Sequence, residues 1–537
     1  MQIKKLMIFD WIYTFIFTFF TYVFPFLFAF HAYNEDATIR IWVNIAFFII
    51  TTVFLQLLKG NVRKTVLVVL LLLAFLPNII VLSFLLMDNT IMKSTDFWVV
   101  FDTNLSEATG FITTLPFQSF VWCIIYILTW FISLILTWKH EPNYYINKNI
   151  SLISIFLMIC VMFCLPFRAK VPSIDFYKSF VNYQKEKIEV RRFFERRKDL
   201  KIEVQSFLPS GKKTIIIAIG ESQTRNHMQL YGYPRLTNPM LSEIIGELII
   251  YEDICSPSIQ TLTCMKQILT FANYENLNQY KEEASIVELA KNGGYYTYWI
   301  DNQGSGRGID TYTPTSYRTI AHMCDYYSDE NESPMDSMIL RKLDKILQDT
   351  VESKVVFLHL IGSHFPYCSH YEQNYNVFDN TSVPSKFCDC LSSNQTKILN
   401  EYDNSILYND YILRQIIEML RKQDGMSAFL YFSDHGEEVF DSQIYAGRSF
   451  EKISPSMCQI PLILWFNSMY KQVNTLSLDP SRPACTDDII HGMMDLLGIK
   501  YSLYDSTRSI FSEAFLPKER MVHNYSYDKI CNNDRSK

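Results

Sequence analysis

The chain has 537 residues and a formal net charge of −6. That length exceeds what one hydrophobic core usually organises, so at least two domains are expected. The acidic balance, with no basic stripe carrying interleaved aromatics, excludes nucleic acid as the partner.

Residues up to about 167 are dominated by Phe, Leu, Ile and Val, whereas the rest has ordinary soluble composition. Five apolar segments open the chain, at 7–30, 41–58, 65–87, 117–138 and 150–167. Each is near the ~20 residues needed to span ~30 Å of hydrocarbon. The first is too long for a cleaved signal peptide and lacks a small-residue cleavage site. Lys4 and Lys5 precede it, Lys59, Arg63 and Lys64 fill the second loop, and Lys139 and Lys148 flank the fourth. The first loop, around Asn34-Glu35-Asp36, is acidic, and the third carries only Lys93. The positive-inside rule then makes the N-terminus cytoplasmic and, five being odd, places everything after 167 outside. The expectation is an α-helical membrane domain of five transmembrane helices over 1–167.

Residues 168–205 are charged and helix-prone, with Ile188, Phe193 and Phe194 among Lys185, Lys187, Arg191 and Arg192. They read as an amphipathic connector on the bilayer surface or as a solvated linker helix. From 206 to 537 apolar runs and helical patterns alternate. Strands are expected at 214–219, 248–251, 295–300, 355–360, 428–432 and 460–465, and helices at 285–292, 335–348 and 404–422. This alternation predicts an α/β domain with a mostly parallel sheet covered by helices. The stretch 366–395 is irregular and reads as a long outer loop. Nine of the twelve cysteines follow residue 167, none in a Cys-x-x-Cys pair. An extracytoplasmic domain favours disulfides, and an odd count leaves at least one thiol over.

The chemistry gathers at strand ends, where open α/β sheets bind ligands. The run 428–432 ends in Ser433-Asp434-His435-Gly436-Glu437-Glu438, and the run 214–219 ends in Gly220-Glu221-Ser222. Glu221, Asp434 and His435 supply two carboxylates and one imidazole, leaving a fourth tetrahedral position, as a catalytic zinc site requires. Two further strands end in Asp301-Asn302-Gln303 and in His359-Leu360-Ile361-Gly362-Ser363-His364. His227, His322, His370 and His523 read as satisfied core or surface histidines. Between the strand ends, Cys255-Ser256-Pro257-Ser258-Ile259-Gln260-Thr261 leads into a helix-like run at 265–271. Ser256-Pro257 is a helix-entry signal. A hydroxyl there is an N-cap on spacing alone, or a nucleophile activated by an adjacent metal. In the third membrane loop, Trp98-Val99-Val100-Phe101 followed by Asp102-Thr103-Asn104-Leu105-Ser106-Glu107 reads as an interfacial loop with aromatic anchors.

Taken together, these motifs resemble the lipopolysaccharide phosphoethanolamine transferases, membrane members of the alkaline phosphatase/sulfatase superfamily. They run on through Asn226-His227-Met228, Tyr231-Gly232-Tyr233-Pro234-Arg235, Leu269-Thr270-Phe271-Ala272, Trp299-Ile300-Asp301-Asn302-Gln303, Tyr408-Asn409-Asp410 and Ser506-Thr507-Arg508-Ser509. The resemblance extends from the first span to Arg508 and is best to the branch that decorates the lipopolysaccharide core. It implies that Glu221, Asp434 and His435 bind Zn2+, and that a threonine nucleophile contacts the metal. That threonine is matched by Thr261, while an alignment anchored on Cys264-Met265 selects Ser258. It further implies that His359 and His364 lie by the phosphoryl group and that Asn104 and Glu107 touch lipid substrate. The implied reaction transfers phosphoethanolamine from phosphatidylethanolamine to lipopolysaccharide, on core heptose or lipid A, through a phosphoethanolamine-threonine intermediate. The implied location is the inner membrane of a Gram-negative cell, multi-pass, with the catalytic domain periplasmic. Many relatives carry another histidine shortly after Asp-His-Gly. Here 440–459 has none and Tyr445 sits near that place, which puts a second zinc in doubt. Competing readings are a phosphoglycerol transferase or sulfatase-like hydrolase on the same fold, and a membrane-anchored sensor without catalysis. The sulfatase pattern Cys/Ser-x-Pro-x-Arg is not met at Cys255-Ser256-Pro257-Ser258-Ile259, and a sensor needs a broken zinc site.

Overall fold

The structure, a computed structural model, describes residues 60–88, 117–139, 172–197, 202–207, 211–303, 320–326, 335–379, 391–449 and 452–535 (474 excepted), with isolated positions in 42–58, 100–101 and 383–387. The chain divides into two compact units, Met1–Glu186 and Lys187–Lys537.

In the first unit, helix α1 (Gly60–Asp88) and helix α2 (Phe117–Lys139) coincide with the third and fourth apolar segments. Among the described residues one helical segment, Asn61–Ser83, is long and apolar enough to cross a membrane, and α2 carries the shorter apolar run Ser119–Ile132. The spans expected at 7–30, 41–58 and 150–167 lie outside the described residues but for isolated positions, as do Asn104 and Glu107. Helices α1 and α2 pack through Phe75 on Trp130, with ring centroids 4.3 Å apart. The Trp130 indole donates to the Leu71 carbonyl (3.2 Å), and the Ser119 hydroxyl to the Leu86 carbonyl (3.0 Å). Polar groups on apolar helices find partners on neighbouring helices in this way. Helix α3 (Pro172–Arg197) fills most of the segment read as the connector, and the division between the two units falls within it.

The second unit is built on a seven-stranded sheet. Its strands are β1 (Lys213–Gly220), β2 (Leu248–Tyr251), β3 (Tyr296–Asp301), β4 (Met323–Tyr326), β5 (Ser353–His359), β6 (Met426–Ser433) and β7 (Leu462–Phe466), in the order β2-β7-β6-β1-β5-β3-β4. Strand β1 pairs in parallel with both β5 and β6, and β3 pairs in parallel with β5 and β4. Only β7 runs against its neighbours. The six expected strands are all present; edge strand β4 was not foreseen.

All eight residues of β1 are buried, as expected for a strand covered on both faces. Its side chains alternate between two cores. Ile215, Ile217 and Ile219 pack on one face with helices α4 (Thr261–Ile268), α5 (Ile286–Asn292) and α8 (Ile489–Leu497). Ile216 and Ala218 face helices α6 (Ser337–Leu347) and α7 (Ser393–Arg421). Ser285 and Glu288 form a capping box at α5, and Ser392 and Gln395 do so at α7. This second cap starts α7 eleven residues before the expected 404 and shortens the irregular stretch. Helix α4 begins at Thr261 rather than 265. Ser256-Pro257 is therefore not the helix entry: Ser256 turns its hydroxyl onto the Ser258 carbonyl (2.7 Å) inside the preceding loop.

His227 is the satisfied core histidine expected. Its Nδ1 lies 2.7 Å from Asp403 Oδ1 and its Nε2 3.2 Å from Asp441 Oδ2. Arg235 and Tyr233 donate to the other Asp403 oxygen at 2.6 and 2.8 Å. The network ties the loop after β1 to α7 and to the segment after β6. Burial pulls the imidazole pKa down, but Asp441 and Asp403 outweigh it and hold it up at about 9. A folded pKa above the unfolded ~6.5 gives stability that is complete below pH ~6.5 and is lost as pH rises through about 9. Comparing His227→Gln with wild type by urea denaturation from pH 6 to 9.5 should show the wild-type advantage shrinking with pH, by on the order of 3 kcal/mol. A pH-independent difference refutes the linkage.

Candidate active site

Four adjacent parallel strands, β6, β1, β5 and β3, end at one edge of the sheet. The alternation that puts Phe432, Ile219, Phe357 and Trp299 in the α4-side core carries Asp434, Glu221, His359 and Asp301 onto that same side. Register pairs Ile219 with both Phe432 and His359, and Asp301 with His359. With strands ~4.8 Å apart, this row of polar residues is set by the ladder.

Glu221, Asp434 and His435 are fully buried, and one ligand atom from each falls within 4.8 Å of the others. His435 Nε2 is 3.1 Å from Glu221 Oε1 and 3.4 Å from Asp434 Oδ2. The Thr261 hydroxyl lies 3.0 Å from Glu221 Oε2 and 3.1 Å from His435 Nε2. Thr261 is the first residue of α4, where backbone N–H groups lack helical acceptors and the helix presents its positive end. Of the two hydroxyls left open by the motifs, Thr261 joins the cluster. Ser258 Oγ is buried with no hydrogen-bond partner among the described residues.

The cluster suits a divalent cation. His435 Nδ1 lies 2.9 Å from the Gly436 carbonyl, which fixes the proton on Nδ1 and turns the Nε2 lone pair toward the carboxylates, as in histidines that bind metals. Asp434 Oδ2 is buried and has no hydrogen bond among the described residues. Burial, together with the Glu221 charge, pushes the Asp434 carboxyl well up. Burial also acts to raise Glu221, but His435, His364 and Arg448 outweigh it and hold Glu221 well below the usual carboxylate range. Burial and then Arg448 lower the His435 pKa against the pull of Glu221, which eases loss of the proton that a metal would displace. Two carboxylates and a neutral imidazole facing one point make a donor set of nitrogen and oxygen fit for zinc.

The cage is braced from behind. Ser222 donates its N–H to Asp434 Oδ1 (3.3 Å) and its hydroxyl to Glu221 Oε1 (2.8 Å). The loop after β5 closes over Glu221, with the Ser363 N–H bonded to the Glu221 carbonyl at 3.0 Å. Buried Asp336 shapes that loop by accepting from the N–H groups of Ile361 and Gly362, both at 3.0 Å, and from the Asn302 amide at 2.8 Å. His359 stands one strand from Glu221. Its ring makes no hydrogen bond among the described residues, and Asp301 Oδ2 lies 3.7 Å from its Nδ1. His364 is half-buried, with Nδ1 2.7 Å from the Phe365 carbonyl, and is near enough to lower the carboxyl pKa of both Glu221 and Glu437.

Two residues went unforeseen. Glu437 is buried and accepts from the Tyr367 hydroxyl at 3.0 Å. Arg448 meets Glu437 Oε2 through Nε at 3.1 Å. Glu437 lay inside the Asp-His-Gly-Glu motif, whereas nothing local in the sequence marks Arg448.

Residues 213–499 match the family profile described as Sulfatase. Phosphoethanolamine transferase EptC of Escherichia coli is 30% identical over 325 residues, 58% of this chain and 55% of that protein. The chain thus spans about half the length of the curated relatives it matches. Among solved structures, the C-terminal periplasmic domain of EptC from Escherichia coli in complex with zinc is 28% identical, with a TM-score of 0.57, covering 61% of this chain and 96% of that one. The integral membrane lipooligosaccharide phosphoethanolamine transferase A of Neisseria meningitidis shares the fold at 16% identity, with a TM-score of 0.69 over 94% of this chain and 99% of that one.

Gly362 tests the brace. Its φ is +50°, and a Cβ there would lie 2.8 Å from the Glu221 carbonyl oxygen and 3.0 Å from its nitrogen. Gly362→Ala should cost about 1–3 kcal/mol of stability and weaken zinc binding by moving Glu221. Melting temperature and zinc titration against a chelator check both; an unchanged zinc affinity would show that Glu221 is held without this loop.

Proposed function

This chain belongs to the sulfatase family, and on that premise we propose that it is a membrane-anchored, zinc-dependent phosphoethanolamine transferase. The observation that carries the reading is the Thr261 hydroxyl at the start of α4, within 3.1 Å of both Glu221 and His435. The names of the relatives support it, as does the zinc complex of the EptC periplasmic domain. The donor is phosphatidylethanolamine and the acceptor lipopolysaccharide, at core heptose or lipid A. The chain sits in the inner membrane of a Gram-negative cell through five spans over 1–167, continues through a connector at 168–205, and exposes 206–537 to the periplasm. Asn104 and Glu107, in the third membrane loop, contact lipid substrate.

Glu221, Asp434, His435 and the Thr261 oxygen would hold the zinc. Bound there, it supplies Lewis-acid charge beside the nucleophile and the transferring group. Glu221 Oε2, 3.0 Å away, takes the hydrogen bond that orients the Thr261 hydroxyl and receives its proton. The Thr261 oxygen then forms a bond to phosphorus as the phosphorus–oxygen bond to glycerol breaks. Diacylglycerol leaves with a proton, for which His364, close to Glu221, is placed as the donor. In the second step an acceptor hydroxyl or phosphate oxygen attacks the same phosphorus, His364 takes the acceptor proton, and the phosphorus–oxygen bond to Thr261 breaks as the Thr261 oxygen takes its proton back from Glu221. The N–H groups of Thr261 and Leu262, which precede the first helical bonds of α4 at Thr263 and Cys264, favour the negative charge that gathers on the phosphoryl oxygens. His359 backs the site from the neighbouring strand, with Asp301 at its Nδ1.

Intact mass of the full-length, zinc-loaded protein after incubation with phosphatidylethanolamine tests this. One added phosphoethanolamine should appear and map to Thr261. Thr261→Ala should keep its zinc but lose the adduct, and its turnover should fall at least about a thousandfold. An adduct on Ser258 moves the nucleophile. An adduct seen only with phosphatidylglycerol makes the protein a phosphoglycerol transferase.

A further inference from the structure

The stretch 440–459 holds no histidine, but it brings a cation back to the site. After His435 the chain makes a short hairpin in which Val439 pairs with Ala446 and Glu438 with Gly447, returning Arg448 to the cluster. Arg448 has two anchors of its own there. Its Nε faces Glu437 Oε2 at 3.1 Å, and its Nη1 donates to the carbonyl of Ile259, two residues before Thr261, at 3.1 Å. Glu437 is in turn fixed by Tyr367. The same Nη1 sits against His435 Nε2 and lies 3.2 Å from Nδ1. Among the described residues, no other arginine or lysine makes an ion pair with Glu221, Asp434 or Glu437. The Arg448 side chain is one quarter exposed.

The Nε2 lone pair has a single direction to offer. A zinc ion at the cluster takes it, and Arg448 cannot keep that contact beside a divalent charge. The Glu437 pair is made through Nε and does not involve the nitrogen that faces His435, so it holds the arginine in place when Nη1 moves off; the Ile259 carbonyl is met by that same Nη1. With Nε on Glu437, the donors left to meet two non-bridging phosphoryl oxygens side by side are those of Nη1 and Nη2, and Nη1 reaches the Ile259 carbonyl two residues before Thr261.

We propose that Arg448, tethered by Glu437, is the residue that binds the non-bridging oxygens of the phosphoryl group carried on Thr261. This rests on Thr261 being the nucleophile, but its consequence is read on a binding probe that needs neither donor nor acceptor. Orthovanadate binding to the full-length, zinc-loaded protein is measured by calorimetry for wild type, Arg448→Lys and Arg448→Ala, with zinc stoichiometry and melting temperature determined on each. Arg448→Ala should bind vanadate about tenfold to a hundredfold more weakly with zinc retained, and Arg448→Lys should fall between, because a point charge replaces the fork. Vanadate bound equally well by all three overturns the proposal, even if transferase activity is confirmed. So does a defect that disappears when excess zinc is supplied, since Arg448 would then only position the metal site. If Arg448→Ala fails to fold, Arg448→Lys alone decides. Arg448-dependent vanadate binding in a protein that transfers nothing from phosphatidylethanolamine leaves this proposal standing and removes the assigned donor.

Discussion

Two buried carboxylates facing each other are the constraint around which the second unit is arranged. Glu221 and Asp434 place oxygens within 4.8 Å, both fully buried. At an effective dielectric near 20, two unit charges at that separation repel by about 3–4 kcal/mol, and desolvation adds to it. No side chain adopts that arrangement by its own preference. It is imposed by backbone: β1 and β6 are neighbours in parallel register, and the Asp434 N–H bonds to the Gly220 carbonyl at 3.0 Å just past the last pair. The hydrophobic cores on both faces of the sheet stabilise the ladder, and the ladder holds the carboxylates together. A cation turns the repulsion into attraction, which is why the same geometry that burdens the metal-free fold is what a metal-binding fold needs.

The loops around the cage follow from that burden. Glycine at 362 lets the loop after β5 approach the Glu221 backbone where any Cβ would collide. Asp336, at the start of α6, holds that loop by accepting from the Ile361 and Gly362 N–H groups, and accepts a third hydrogen bond from the Asn302 amide, while being buried itself. Glu437 adds a third acidic group, and Arg448 supplies the countercharge for it. Burial raises the Glu437 carboxyl, and Arg448 and the Tyr367 hydroxyl act against that rise. The site is therefore built in two tiers, one of groups aimed at a metal and one of groups that keep those aimed.

How much of this could be read from the chain depended on whether the determining interaction was local. Strands β1 and β6 announce themselves as apolar runs, and the candidate metal ligands follow directly on their last residues, so Glu221, Asp434 and His435 were legible as a set before any fold was known. Strand β4 was not, because Met323–Tyr326 is short and lies at the sheet edge, where pairing with β3 defines it. The start of α7 was misplaced because its capping box, Ser392 with Gln395, sits among cysteines and polar residues that read as loop. The entry to α4 was misread for a different reason. Ser256-Pro257 is a good local start signal, but the Ser256 N–H bonds to the Cys458 carbonyl at 2.9 Å and Cys255 bridges to Gln459, so tertiary contacts hold that segment extended. Arg448 was invisible for the same kind of reason: an arginine after Tyr-Ala-Gly becomes a site residue only once the hairpin carries it 13 positions back to His435.

The position of Thr261 draws these levels together. A threonine is a modest helix former because its branched Cβ restricts χ1, and that stiffness is useful in the first residue of a short helix. With few rotamers, its oxygen stays directed at Glu221 Oε2, to which it donates, and at His435 Nε2. The loop that precedes it is held extended by Cys458 and Gln459, and the helix that follows is anchored in the core by Cys264, Met265 and Ile268. Shifting the helix start by one residue would rotate the hydroxyl by about 100° and remove it from the cluster. The tertiary contacts that defeated the local start signal at Ser256 are thus the ones that give residue 261, rather than 258, the hydroxyl facing the carboxylates.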